Sequence, residues 1–168
     1  MSQPILAISL FFHILATVVW IGGILIITLL VIPEVNRILT DQPALYQVLL
    51  RLRKRFTPVS NLALMVLIAT GLFQMTADPN YDGLMQFNNT WSQVMLIKHI
   101  LIVIMALVGL FLQFSIAPAL ERTTMLLERG KGQVTDWQQL RQREQQLTWG
   151  IVFMAILILA MSAWLSSI

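Results

Sequence analysis

Four long apolar stretches decide what this chain of 168 residues can fold into. They cover about residues 5–32, 56–76, 91–117 and 147–167, and each reaches the roughly 20 mostly apolar residues that a membrane-spanning helix needs. Charged residues make up only 11% of the chain, whereas a soluble domain carries about 25%. A soluble core could not bury so much apolar surface, so the lipid bilayer is the expected solvent. We therefore predict one domain over residues 1–168, an all-α, integral membrane four-helix up-down bundle.

The basic residues predict how this bundle is oriented. Ten of the eleven Lys and Arg residues follow the first or the third stretch, and the connection between the second and third stretches has none. The positive-inside rule places both basic segments in the cytoplasm and both termini outside, in a prokaryotic cytoplasmic (inner) membrane. Because the basic residues lie in loops between spans, the pattern argues against nucleic-acid binding. The ten residues are Arg37, Arg51, Arg53, Lys54, Arg55, Arg122, Arg129, Lys131, Arg141 and Arg143.

Two segments on the basic side carry helical patterns of their own. Apolar residues recur at helical spacing between the first set of basic residues, which predicts a short amphipathic helix on the membrane surface. These residues are Leu45, Val48, Leu49 and Leu52. The polar stretch from Gln133 to Gln146 is expected to extend the fourth helix beyond the bilayer.

The two histidines are the main candidates for chemistry, because the sequence has no Cys and no further His. His13 and His99 each lie eight residues into their stretch, roughly 12 Å along the helix from its outer end. They therefore share a depth in the outer half of the membrane. Helices 1 and 3 are diagonal in an up-down bundle, with axes about 14 Å apart, so both side chains can face the bundle axis. Two opposed imidazoles across such a gap predict the axial ligands of one b-type haem.

Two other interpretations of the histidines stay open. Met95 lies one turn before His99 on the same helix face, and Met with His suits Cu(I), so a copper site at His13, Met95 and His99 is the alternative. Each imidazole could instead bond a hydroxyl or a carbonyl inside the bundle. Four uncharged polar residues in the spans predict interhelical hydrogen bonds of this kind: Asn61, Thr70, Gln74 and Gln113.

Lys98 bears directly on these alternatives. It lies about 100° around helix 3 from His99, so the two side chains cannot both point at the bundle axis. Its ammonium either extends to the outer interface or supplies a cation for a haem propionate or an acidic substrate. No Asp or Glu lies inside a predicted span, which argues against a proton-coupled transporter.

A weak internal repeat relates the two halves of the chain. Pro33 and Pro118 each precede an arginine by four residues, and His13 and His99 lie 20 and 19 residues before these prolines. The pattern predicts two similar helical hairpins, related by an axis along the membrane normal. Chance matching of Pro and Arg at helix ends stays open as the alternative.

Short motifs in the first three helices resemble the copper resistance D (CopD) domain family. They are His13, Trp20 and Gly22-Gly23 in helix 1, Thr70-Gly71 in helix 2 and Leu96-Ile97-Lys98 in helix 3. The resemblance covers helices 1 to 3 and implies an inner-membrane protein associated with copper uptake or tolerance. The histidine of helix 1 and the lysine of helix 3 also resemble the HemJ-type protoporphyrinogen oxidases, four-helix membrane proteins associated with a b-type haem.

The resemblance carries His13 and Lys98 over as site residues of both families. His99 departs from it, because both families often have an apolar residue there, and this departure implies a haem or metal site particular to a subgroup. We expect one b-type haem ligated by His13 and His99, with Lys98 and Trp20 as further cofactor contacts. Its role would be electron transfer to a membrane redox partner or within a larger complex. Copper handling, HemJ-like porphyrinogen oxidation and a structural subunit without a cofactor stay open.

Overall fold

A computed structural model of the chain describes residues 3–38, 43–81, 83 and 89–165. Within these ranges four helices are long and apolar enough to cross a membrane. They are α1 (Gln3–Glu34), α2 (Pro43–Ala77), α3 (Thr90–Glu128) and α4 (Val134–Leu165). The four predicted spans lie inside these helices, except that residues 166 and 167 lie outside the described ranges. The expectation of an all-α four-helix membrane bundle is confirmed.

The helices pair as two hairpins that pack into one bundle. The first half of α1, Gln3–Thr17, packs along α2, and α3 packs along α4, while α2 also contacts the last third of α3. The residues buried between the helices include Trp20, Ile21, Met105, Ile151 and Ala155. We call the end of the bundle with residues 33–38, 43–55 and 118–146 the basic end, and the end with His13 and His99 the histidine end.

The outer surface of the bundle is as apolar as its core. Phe11, Leu62, Phe114 and Phe153 are each more than 60% exposed. A water-soluble protein rarely exposes contiguous apolar surface on this scale. The same side chains are favourable against acyl chains, so the exposed faces of the four helices are the ones that contact lipid.

Both segments on the basic side are helical, but one differs from its prediction. The stretch from Gln133 to Gln146 is part of α4, as predicted, because that helix starts at Val134. The expected separate surface helix is instead the first part of α2, which runs without a break from Pro43 to Ala77. Leu49 and Leu50 are 1% and 7% exposed, so packing against the other helices accounts for this continuity better than contact with a membrane surface.

Proline explains a local feature that α1 and α3 share. Both helices widen into a π-helical segment that ends two residues before a proline: Ile27–Val31 before Pro33, and Leu112–Ile116 before Pro118. A proline lacks the N–H that the carbonyl four residues earlier needs, and its ring crowds that carbonyl, so the hydrogen-bond ladder shifts. The two matched segments support the predicted repeat of hairpins. A third π-helical segment, Val18–Gly22, lies in α1 without a proline.

Candidate functional site

His13 is held against α2 by two neighbouring residues. Its Nδ1 lies 2.8 Å from Oγ1 of Thr70. The Thr70 hydroxyl donates its hydrogen to the carbonyl of Val66 at 2.6 Å, so it accepts from His13, and Nδ1 carries the proton. A Cβ on Gly71 would lie 3.4 Å from Cε1 of His13, so the ring rests directly on the helix surface. The hydroxyl sets the orientation of the imidazole, and the ring packs beside Gly71.

His99 has the same tautomer through a different partner. Its Nδ1 lies 2.7 Å from the carbonyl oxygen of Met95, one turn earlier on α3. A carbonyl can only accept, so Nδ1 of His99 is the donor. Among the described residues, no hydrogen bond involves Nε2 of either histidine. Each Nε2 therefore keeps the lone pair that a metal ligand needs.

Lys98 lies on the buried stripe of α3 and next to the first histidine. It is one turn from Val94 and two turns from Met105, which are 7% and 1% exposed. Lys98 lies close enough to His13 for the charges of the two groups to influence each other. No carboxylate in the described part of the chain forms an ion pair with Lys98. A half-buried cation without a counter-ion is costly in a bilayer, which makes this a place for an anionic group.

The predicted site residues do not all gather at one point. His13, Thr70 and Lys98 lie together at the histidine end, and we call them with His99 the histidine site. Lys98 occupies the buried stripe, so His99 lies on the neighbouring flank of α3, as their angular separation requires. Trp20 lies two turns below His13, roughly 10 Å deeper, and is buried in the core instead.

The predicted interhelical hydrogen bonds are confirmed for all four uncharged polar residues. Thr70 bonds His13, Nε2 of Gln74 donates to Oγ of Ser9 at 3.4 Å, and Nδ2 of Asn61 donates to Oε1 of Gln113 at 3.4 Å. The sequence signalled these residues only as polar groups in apolar helices. It did not identify Thr70 as the partner that orients His13.

Metal ligation by a cluster of side chains is a separate question. The described residues contain no group of three or more His, Cys, Asp or Glu side chains that could hold a metal ion.

The sequence matches the family described as Copper resistance protein D (CopD) over residues 50–165, more than half of the chain. The chain belongs to the CopD family. This match includes Thr70-Gly71 and Lys98 but not His13 and Trp20. The predicted resemblance to the CopD family is confirmed, although the match runs from α2 to α4 rather than over helices 1 to 3. The match gives no support to the HemJ resemblance. Comparisons with curated proteins and with solved structures found no match.

The basic end of this CopD family member contains an ionic network that sequence analysis missed. Glu144 on α4 is fully buried and accepts hydrogen bonds from Arg53 of α2 and Arg141 of its own helix. Nearer the surface, Nζ of Lys54 lies 2.5 Å from Oε1 of Glu121 on α3. These contacts connect three of the four helices. Sequence reasoning assigned the basic residues to topology alone and did not single out the acidic residues as their partners.

A cavity of about 490 Å³ lies in the half of the CopD bundle nearer the basic end. Trp20, Leu64, Met105 and Ile151 contribute apolar wall, and neither histidine lines the cavity. This cavity therefore does not coincide with the cofactor location predicted between the two histidines. The histidine site and this cavity are therefore two separate sites.

Proposed function

We propose that this CopD family member binds one b-type haem at the histidine site and transfers electrons in the membrane as part of a larger redox complex. His13 would ligate the iron through Nε2. His99, on the flank of α3 beside Lys98, would become the second ligand only if α3 turns about its axis when haem binds. The site would lie in the outer half of a prokaryotic inner membrane. The family membership and the four spanning helices support a CopD-like membrane protein, and the haem is the further step that the following observation motivates.

The observation that carries the proposal is the pairing of His13 with Lys98. A haem presents an iron that needs an imidazole lone pair, and propionates that need a cation. His13 offers Nε2, and the Lys98 ammonium beside it has no carboxylate partner among the described residues. A copper ion would use the imidazole but would be repelled by the ammonium. The combination therefore favours haem over copper.

The side chains around His13 are arranged to hold an axial ligand steady. Thr70 accepts from Nδ1, which fixes the tautomer and ring orientation, as outer partners of ligating histidines commonly do. The ring also packs against α2 beside Gly71. The Met95 carbonyl accepts a hydrogen bond from Nδ1 of His99 and so fixes the tautomer of His99, as Thr70 does for His13. A bound haem would supply one-electron transfer, and the two histidines would leave no iron position for oxygen.

The test is a visible spectrum of the detergent-purified protein, dithionite-reduced minus oxidised, with haem and metal analysis of the same sample. We expect a b-type spectrum at about one haem per chain. His13→Ala should abolish haem binding, and His99→Ala should convert the six-coordinate spectrum to a five-coordinate one. Gln74→Ala is the matched control, because it removes a polar group from the same end of α2 and should leave the spectrum unchanged.

Other results would replace the proposal with a stated alternative. A colourless protein that binds Cu(I), and loses it in Met95→Leu, would assign the histidine site to copper. Neither haem nor copper, after expression with both supplied, would contradict any cofactor role and leave a structural subunit. Loss of haem in His13→Ala with an unchanged spectrum in His99→Ala would overturn the second axial assignment alone.

A further inference from the structure

The cavity near the basic end is built from the irregular parts of the bundle. Each of the three π-helical segments contributes lining residues: Trp20 from Val18–Gly22, Thr28 from Ile27–Val31, and Gln113 from Leu112–Ile116. Pro58, the proline inside α2, lines it as well. π-helical segments cost regular hydrogen bonds and occur frequently at functional sites. Because all three π-helical segments line the same cavity, we expect this cavity to have a functional role.

Thr28 contributes a polar atom that lacks a protein partner. Its side chain lines the cavity and is only 2% exposed. Oγ1 of Thr28 has no hydrogen bond to any described residue. A buried hydroxyl without a hydrogen-bond partner is unfavourable, and most buried hydroxyls in native proteins have one. A ligand atom that accepts a hydrogen bond in the cavity would remove this cost.

A pair of amides lies across the opening between α2 and α3. Asn61 and Gln113 both line the cavity, and the 3.4 Å bond between them uses one N–H of Asn61 and the carbonyl oxygen of Gln113. In the described part of the chain, the NH2 of Gln113 makes no bond and is a second donor. Asn61 and Leu110 are exposed beside this opening, which lies between two of the helices that are apolar enough to cross a membrane.

The two cationic residues that line the cavity each already have a carboxylate partner. Arg53 and Lys54 line it, but they are paired with Glu144 and Glu121 respectively. A phosphate or carboxylate entering the cavity would have to compete with these carboxylates. An uncharged ligand would not. The donors that remain, Thr28 and Gln113, are suited to carbonyl oxygens.

We infer that this cavity binds a lipid-soluble ligand with an uncharged carbonyl head group, of the quinone class. The head group would accept hydrogen bonds from Thr28 and Gln113 and lie against the apolar wall that includes Trp20. Its tail would leave between α2 and α3 past Leu110. A volume of about 490 Å³ is within the range of small-molecule sites. The inference does not depend on haem at the histidine site.

The experiment uses the full-length, haem-free protein in lipid nanodiscs, titrated with a short-chain alkylated benzoquinone. Quinones quench indole fluorescence, and Trp20 lies in the cavity wall, so saturable quenching reports binding. Gly109→Leu is the variant that fills the cavity, because Gly109 lines it and a Cβ there meets nothing within 4 Å. Gly150→Leu is the matched control: a Cβ at Gly150 also meets nothing within 4 Å, and this residue does not line the cavity.

We expect saturable quenching in the wild type and in Gly150→Leu, and its loss in Gly109→Leu. Thr28→Val, which keeps the shape but removes the hydroxyl, should weaken binding about five- to tenfold, as expected for one hydrogen bond. Helicity and gel filtration confirm that each variant is folded. If Gly109→Leu binds the quinone as the wild type does, or the wild type shows no saturable quenching, the inference is wrong. Phospholipids also carry carbonyl groups, and mass spectrometry of the purified protein distinguishes them from a quinone. A phospholipid that co-purifies with the wild type but not with Gly109→Leu, and that quinone does not displace, would also overturn the quinone assignment.

Discussion

The two ends of the bundle differ in whether their buried charged groups have partners of opposite charge. At the basic end, the buried carboxylate of Glu144 is shared by Arg53 and Arg141. At the histidine end, Lys98 has no carboxylate partner among the described residues, although it lies on a buried stripe. Paired charges in a low-dielectric interior stabilise a particular arrangement of helices, whereas an unpaired one is a cost. The difference indicates where a ligand of opposite charge would bind: at the histidine end, where Lys98 has no carboxylate partner among the described residues.

The largest expected effect comes from breaking the paired end. Glu144→Gln would leave Arg53 and Arg141 next to each other without their shared carboxylate. Removing one partner of a buried ion pair costs about 3–5 kcal/mol, because the remaining charge is desolvated and uncompensated. We expect a large loss of thermal stability in mild detergent, measured by the helical circular dichroism signal.

A matched variant separates burial from charge in this result. Glu121→Gln removes the carboxylate of another interhelical pair at the same end, but its partner Lys54 is 64% exposed. Exposed pairs contribute about 0–1 kcal/mol, so this variant should unfold close to the wild-type temperature. Equal losses in the two variants would contradict the view that the buried network fixes the basic end.

A smaller effect is expected from the contact that orients His13. Thr70→Val keeps the shape of the side chain but removes the acceptor for Nδ1. Loss of such an outer partner typically weakens metal binding about 10–100-fold, because the ring loses its fixed tautomer and orientation. We expect faster transfer of haem from the variant to apomyoglobin. Thr57→Val is the control, since Thr57 makes the same bond to the carbonyl four residues earlier but contacts no histidine.

The helices were predictable from sequence because the bilayer imposes a simple rule. A segment without water must satisfy its backbone internally, so about 20 apolar residues are sufficient to predict a spanning helix. The π-helical segments were not predicted, although Pro33 and Pro118 are their visible cause in two cases. Hydropathy depends on the type of residue and is insensitive to a shift in the hydrogen-bond ladder.

The candidate site was predictable only in part, because sequence gives depth more reliably than direction. The matched depths of His13 and His99 follow from counting residues along helices. Which of Lys98 and His99 faces inward depends on how α3 rotates against its neighbours, and both rotations bury apolar residues. Thr70, which bonds His13, and Arg53, which bonds Glu144, lie 57 and 91 residues from those partners in sequence, so only the packed bundle identifies these contacts.

The smallest expected effect is a gain in stability rather than a loss, and it tests the charge of Lys98 at the histidine end directly. Lys98→Leu removes a cation that has no counter-ion among the described residues, so the haem-free protein should become more stable, by about 1–2 kcal/mol for a half-buried charge in a span. Lys54→Leu, at the paired end, should instead be neutral or slightly destabilising, because it leaves Glu121 without its partner. The measurement is thermal unfolding of both variants in the same detergent, followed by their haem content after reconstitution. Higher stability together with lower haem content in Lys98→Leu would mean that the cation is kept for a ligand. Lower stability in the haem-free state would mean that Lys98 has a structural partner within the protein, and the contrast between the two ends would no longer hold.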